Sequence, residues 1–160
     1  MRIGVVSDTH NVLPNVRRIV ELFNASRVEH VIHTGDVTQA RTVHALGALE
    51  MPLTGVYGNN DERDELAVAA AEHGFSFHDG ALSLTLAERR IVVVHDPRDL
   101  APAYEDEHDL ALHGHHHSLV VKRREGRLRF NPGECAGLMA GYNTVGVVDL
   151  VKLEVQLLHF

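Results

Sequence analysis

Apolar and polar positions follow one rhythm in the first half of this chain and another in the second. In the first half, short apolar runs closed by polar residues alternate with stretches at helical spacing. "RIGVVSD" at 2–8 is such a run, as expected of a strand buried on both faces. Pro14 then suits a first helical position. Val16, Ile19, Val20 and Phe23 recur at helical spacing, with Arg17 and Arg18 on the other face. "HVIHTGD" at 30–36 repeats the strand pattern, Thr38 is placed to cap a second helix, and Val43, Leu46 and Leu49 give that helix its apolar side. "PLTGVYGNND" at 52–61 predicts a third strand. "DERDELAVAAAEHG" at 61–74 predicts a third helix, with acids in its first turn and Gly74 at its end. Three such units in succession argue for parallel strands joined by right-handed crossovers.

From residue 75 the pattern turns to hairpins. "ALSLTLAERRIVVVHD" at 81–96 reads as two strands around a tight turn at Glu88–Arg89, and "LALHG" at 110–114 as a further strand. "LVVKRREGRLRF" at 119–130 predicts a hairpin turning at Glu125–Gly126, and "TVGVVDLVKLEVQLLHF" at 144–160 a last one. The proline-broken, acidic "DPRDLAPAYEDEHD" at 96–109 predicts loop with a short helix. The class is α/β, one domain over residues 1–160.

Composition narrows the function. A net charge of −7 argues against stable binding to a nucleic-acid backbone, which needs a basic surface. One cysteine excludes an internal disulfide and fits a reducing cytoplasm. "MRIGVVSDTH" meets polar residues too early for a signal peptide, and no apolar run reaches membrane-spanning length. The expectation is a soluble cytoplasmic domain. Its oligomeric state stays open, a homodimer or higher homo-oligomer included.

Thirteen histidines are the unusual figure, four of them in "LHGHHHS" at 112–118. Most histidines in any chain are neither ligands nor acid–base groups, so position decides. Asp8 and His10 follow the first strand, Asp36 the second and Asn59 the third; His95 ends "RIVVV", and His115 and His117 follow "LALHG". In parallel α/β sheets, sites form beyond the carboxyl ends of strands. Two carboxylates, one amide and four imidazoles suit Mn²⁺, Fe²⁺, Ni²⁺ or Zn²⁺. Seven donors are too many for one tetrahedral ion and fit two ions sharing a carboxylate, a pair able to clamp a phosphoryl group. Taken singly, Asp8 and Asp36 read as caps, Asn59 as a turn residue and His95 as a strand-end residue beside the core; only the joint pattern favours a metal site.

"DTH" at Asp8–His10, "GD" at Gly35–Asp36, "GNND" at Gly58–Asp61, His95 and "GHHH" at Gly114–His117, in this order, resemble the calcineurin-like metallophosphoesterase family. "NPGEC" at Asn131–Cys135 resembles the N-P-G turn of its small archaeal and bacterial phosphodiesterases. The resemblance implies a four-layer α/β/β/α sandwich. It assigns one ion to Asp8, His10, Asp36 and His117, and the other to Asp36, Asn59, His95 and His115, with Asp36 bridging. The two ions would be divalent, Mn²⁺ the first expectation and Ni, Fe or Zn the alternatives. A metal-bound hydroxide would attack a small phosphodiester, with Asn60, Asp61 and His95 as the catalytic residues beside the ions. His115 and His117 would share one side of an extended strand end, His116 pointing away.

Two positions leave the family's pattern. Many members carry His where Asn60 stands, and a glycine commonly follows the family's His where this chain has Asp96. Because Asn cannot act as a general acid, a pure phosphomonoesterase is disfavoured. The rival from another class is a scaffold role, since a eukaryotic trafficking subunit keeps this fold to bind proteins. His33, His44, His73, His78 and His108 read as surface or satisfied core residues, and His113 as either a group behind the site or part of its strand. Cys135 reads as a small buried thiol, and "KRREGRLR" as a solvated hairpin face.

Overall fold

A computed structural model describes residues 1–101, 107–138 and 141–160. The three strand–helix units lie where the apolar pattern predicts them: β1 (Arg2–Val6), α1 (Leu13–Ser26), β2 (His30–His33), α2 (Ala40–Leu46), β3 (Leu53–Val56) and α3 (Arg63–Glu72). Pro14 sits in the first turn of α1. Gly74 follows α3 with φ +68°, a conformation that costs glycine nothing. A short strand, β4 (Ser76–His78), pairs parallel to β3. The sequence does not predict it: three residues with only Phe77 apolar carry no readable period.

Thr38 does not cap α2. That helix begins at Ala40 after Gln39, without a side-chain cap bond. Thr38 instead has φ +80° and donates its amide to Asp61 Oδ1 at 2.6 Å, so the carboxylate of another loop fixes the bend.

The hairpins of the second half are β5 (Leu82–Leu86) with β6 (Arg89–Val93), β8 (Val120–Arg124) with β9 (Arg127–Asn131), and β10 (Thr144–Asp149) with β11 (Glu154–His159); β7 (Leu110–Leu112) stands between β6 and β9. The first turn falls at Ala87–Glu88, one residue before the expected Glu88–Arg89; both have positive φ. Arg89 stays in β6 because its guanidinium donates to the carbonyls of Leu150 at 2.9 Å and Val151 at 3.0 Å. The Glu125–Gly126 turn is as predicted. Of the stretch 96–109, a single 3₁₀ turn at Pro97–Asp99 is present; the rest of the helix expectation, over 102–106, lies outside the described residues.

The strands form two mixed sheets, β11-β10-β1-β2-β3-β4 and β5-β6-β7-β9-β8. Ile3, Val5, Ile32, Val56 and Val148 of the first sheet pack against Ile91, Val93, Leu110, Leu112, Leu128 and Phe130 of the second. Val16, Ile19, Val20 and Phe23 of α1 and Leu46 of α2 cover the outer face of the first sheet. On the outer face of the second, among the described residues, Leu100 packs on Val92, Val94 and Ala111. Helices, first sheet and second sheet thus stack as an α/β/β sandwich among the described residues. β1, β2 and β3 are parallel, as are β6, β7 and β9, so each sheet delivers its loops at one end. The two ends meet, since His115 N donates to Asp8 Oδ2 and His95 Nδ1 to the Thr34 carbonyl. Among the described residues no helix is long and apolar enough to cross a membrane.

Candidate metal centre

The residues expected as ligands converge in two adjoining clusters. In the first, His10 Nε2 and His117 Nε2 lie 3.2 Å apart, and Asp8 Oδ1 is 3.5 Å from His117 Nε2 and 3.9 Å from His10 Nε2. In the second, Asn59 Oδ1 stands 3.1 Å from both His95 Nε2 and His115 Nδ1, which are themselves 3.2 Å apart. Asp36 Oδ2 lies between them, 3.5 Å from His10 Nε2 and 3.4 Å from His95 Nε2. Donors sharing an ion at bonds of roughly 2.0–2.2 Å stand about 3–3.5 Å from one another, so these separations suit common ions.

Hydrogen bonding inside the site fits a cation. Asp8 is fully buried; its Oδ2 accepts from Ser7 Oγ and from the His115 amide, whereas Oδ1 has no partner. A buried carboxylate oxygen without a donor is costly unless a positive charge faces it. His95 Nδ1 faces the Thr34 carbonyl at 2.9 Å, and because a carbonyl only accepts, Nδ1 must carry the proton. The neutral ring then turns the Nε2 lone pair toward Asn59 Oδ1 and Asp36 Oδ2, which are acceptors. Acceptor against acceptor is repulsive until a cation or a proton stands between them. The titration shifts agree. Burial pulls the His95 imidazole down, but the hydrogen bond and charge of Asp36, the Thr34 carbonyl and the charge of Asp8 together raise it. Burial pushes the Asp36 carboxyl up, yet His95 and the two bonds from Asn60 outweigh it and hold it below the usual carboxylate range.

Backbone geometry aims these groups. Asp8, His10, Asp36, His115 and His117 all have left-handed φ, between 42° and 72°. Non-glycine residues in this region carry strain on the order of 1–3 kcal/mol each, a cost concentrated where function requires it. The expected alternation of His115 and His117 along an extended strand is overturned. Both lie in irregular chain beyond β7 with positive φ, and they enter different clusters. His116 between them is exposed. Gly58 and Gly114 give room: a Cβ on Gly58 would overlap Asp36, and one on Gly114 would overlap Ser7 Oγ and lie 2.6 Å from Asp8 Oδ2.

Of the residues expected to act on substrate, His95 is in the second cluster. Asn60 reaches the carboxylate between the clusters, its Nδ2 donating to Asp36 Oδ2 at 2.8 Å and its amide to Oδ1 at 3.0 Å. Asp61 points elsewhere: Oδ1 accepts from the Thr38 amide at 2.6 Å and Oδ2 from the Gly58 amide at 2.7 Å. Oδ1 thus ties the loop after β3 to the loop after β2, and Oδ2 closes the turn of its own loop.

Glu134 and Asp96 belong to the site; the sequence marks Asp96 as a position beside it but not its contact with His115, and it does not single out Glu134. His117 Nδ1 is 2.8 Å from Glu134 Oε2, and His115 Nε2 is 3.5 Å from Asp96 Oδ2. The pairing brings Glu134 in: β9 runs parallel to β7, so residues after β9 arrive at the same end of the sheet as the histidines after β7. His33 is a satisfied core residue. Its Nδ1 accepts the Gly35 amide at 3.1 Å, so its Nε2–H faces Thr9 Oγ1 at 3.2 Å. His113 is buried behind the site, its Nδ1 3.3 Å from Gly114 O. Cys135 is fully buried, its thiol donating to Thr144 O at 3.2 Å; burial pushes its pKa far up, which suits an inert thiol. A cleft of about 480 Å³ opens beside the second cluster, with Asn59, His95 and His115 on one wall and Tyr57, Arg63 and Arg98 on the others.

Fold, motif order and donor clusters agree with one family, and the chain belongs to it: residues 1–153 match the calcineurin-like phosphoesterase superfamily domain. Among its relatives is the phosphodiesterase MJ0936 of Methanocaldococcus jannaschii, 33% identical over 159 residues that cover 96% of each chain. A solved archaeal phosphodiesterase superposes with a TM-score of 0.92 at 31% identity, covering all of both chains. More distant structures share the fold. The phosphoesterase Yfce of E. coli has a TM-score of 0.75 at 22% identity, over 99% of this chain and 98% of that one. Vps29 of Entamoeba histolytica complexed with Zn²⁺ has 0.71 at 19%, over 100% and 98%.

Proposed function

We propose that this chain hydrolyses small phosphodiesters with the help of two divalent ions that share Asp36. The observation carrying this reading is Asp36 Oδ2, which stands at nearly equal distance from an imidazole of each cluster. Asp8, His10, Asp36 and His117 would hold one ion, and Asp36, Asn59, His95 and His115 the other. Oxygen and imidazole donors suit Mn²⁺, and Ni²⁺, Fe²⁺ and Zn²⁺ are accepted by the same set. Such a pair, when bound, supplies Lewis acidity to phosphoryl oxygens and lowers the pKa of water toward neutrality.

The protein's own residues orient and restrict. Thr34 fixes the His95 tautomer, Asn60 grips both oxygens of Asp36, and Asp61 holds the loops that carry Asp36 and Asn59. Asn60 has no proton to give a leaving group, so substrates whose leaving group departs unaided are favoured. That agrees with a relative named a phosphodiesterase at 33% identity, and the cleft has the size for a small ester. The scaffold reading is weaker. The likeness to Vps29 at 19% identity speaks to fold alone, whereas the relative at 33% identity is named a phosphodiesterase.

The test is to strip the protein with chelator, restore Mn²⁺ and measure hydrolysis of bis(4-nitrophenyl) phosphate and 4-nitrophenyl phosphate. Activity should vanish on stripping, return with the ion and favour the diester. A stripped protein as active as the loaded one, or a loaded one inert toward both esters, would overturn the proposal.

A further inference from the structure

We propose that Asp96 and Glu134 are positioning residues, one behind each imidazole of the His115–His117 pair, and that each tunes the affinity of a different ion. This rests on the two-ion reading above. The two rings offer opposite nitrogens to the centre. His115 turns Nδ1 toward Asn59 and His95, which leaves Nε2 on its far side, 3.5 Å from Asp96 Oδ2. His117 turns Nε2 toward His10 and Asp8, which leaves Nδ1 2.8 Å from Glu134 Oε2. Each ring therefore has a carboxylate on the nitrogen that no ion can use. An N–H given to a carboxylate fixes the tautomer, orients the ring and makes the opposite nitrogen a better donor.

Both carboxylates are anchored independently of the imidazoles. Arg98 N donates to Asp96 Oδ1 at 2.8 Å, and Leu138 N donates to Glu134 Oε1 at 2.8 Å. In each case one oxygen is held by a backbone amide and the other faces a ring. The ring is thus placed by the carboxylate, not the reverse. The two supports are unequal. Asp96 Oδ2 also takes the Arg98 guanidinium, through Nε at 2.9 Å and Nη2 at 2.5 Å, whereas Glu134 Oε2 has His117 at close range.

The experiment is a chelator-competition titration of the full chain with Co²⁺, whose absorption bands report the coordination of each ion. Wild type should bind two ions. In Asp96→Asn, one of the two affinities should fall about 10–100-fold, the usual loss for removing such a partner, with its absorption band altered and the other ion unmoved. Glu134→Gln should weaken the other ion, and Asp96→Glu should recover most of the first. Asp96→Ser keeps an acceptor for the Arg98 amide, so the turn forms without the carboxylate; circular dichroism verifies folding of each variant. If folded Asp96→Asn and Asp96→Ser bind both ions as wild type does, or if each carboxylate variant weakens both ions equally, the inference is wrong. Fewer than two ions on wild type would overturn the two-ion reading and this inference with it, an outcome distinct from the first.

Discussion

Asn60 grips Asp36 at both oxygens, its amide on Oδ1 at 3.0 Å and its side-chain nitrogen on Oδ2 at 2.8 Å. The residue beside the shared carboxylate is therefore a donor that cannot release a proton. General acids contribute about 10²–10⁴-fold when well placed, and here that contribution is missing at Asn60. Wild type should cleave an activated aryl diester faster than the matching monoester. Asn60→His should narrow or reverse the ratio, chiefly through kcat on the monoester. Steady-state kcat/KM for both esters in both proteins, at fixed Mn²⁺, decides it; a ratio that does not move places the specificity determinant elsewhere.

His33 predicts the acid side of the stability profile. Burial, the nearby His95 and the bond from the Gly35 amide favour its neutral form, and its pKa is pushed down to about 3 from 6.5. The unfolded chain takes up this proton near 6.5 and the folded chain only near 3. The stabilisation is thus complete above about pH 6.5 and is lost as pH falls toward 3. Denaturation of chelator-treated protein should be little affected by this group between pH 7.5 and 6.5 and should then lose stability on the order of kcal/mol per pH unit down to pH 4.5. His33→Asn, which keeps an acceptor for the Gly35 amide, should be less stable at pH 7.5 but lose less on acidification. Parallel curves for the two proteins would contradict this.

Gly114→Ala should damage the site from behind. The added Cβ meets Ser7 Oγ, Asp8 Oδ2 and Thr34 Oγ1, side chains that are all fully buried and so have little freedom to yield. Overpacking of this kind costs roughly 1–3 kcal/mol. Thermal unfolding should drop accordingly, and metal affinity should fall with it because Asp8 is displaced. Unchanged metal binding in this variant would mean that the loop relaxes away from Asp8.

Much of this was legible in the sequence because burial leaves a period. Val16, Ile19, Val20 and Phe23 mark the buried side of α1, and "RIGVV" and "HVIH" mark strands covered on both faces. The convergence of Asp8, Asp36, Asn59 and His95 was readable because each follows a parallel strand. Asp96 and Glu134 escaped for different reasons. Asp96 reads locally as the cap of the turn at Pro97–Asp99, which it also is, and its second contact is with a residue 19 positions away. Glu134 needed the β7–β9 pairing, which a pattern of apolar residues does not reveal. The hairpin turn at Ala87–Glu88 was misplaced by one residue because the anchor of Arg89 lies at Leu150 and Val151, far along the chain. Thr38 failed as a cap through the long-range bond from its amide to Asp61.

The central claim, two ions sharing Asp36, is tested most directly by metal stoichiometry of wild type, Asp36→Asn and Asp8→Asn, measured by elemental analysis after equilibration with Mn²⁺. Asp36 Oδ2 stands within 3.5 Å of an imidazole of each cluster, whereas the imidazoles paired with Asp8 Oδ1 are those of His10 and His117, with Asp36 and His95 within 4.8 Å of the Asp8 carboxylate. Wild type should carry two ions per chain, Asp8→Asn should retain one, and Asp36→Asn should lose both, with affinities reduced more than roughly 10²-fold, beyond the effect of removing an outer partner. Two ions retained by Asp36→Asn, or a single ion on wild type, would contradict the shared-carboxylate centre.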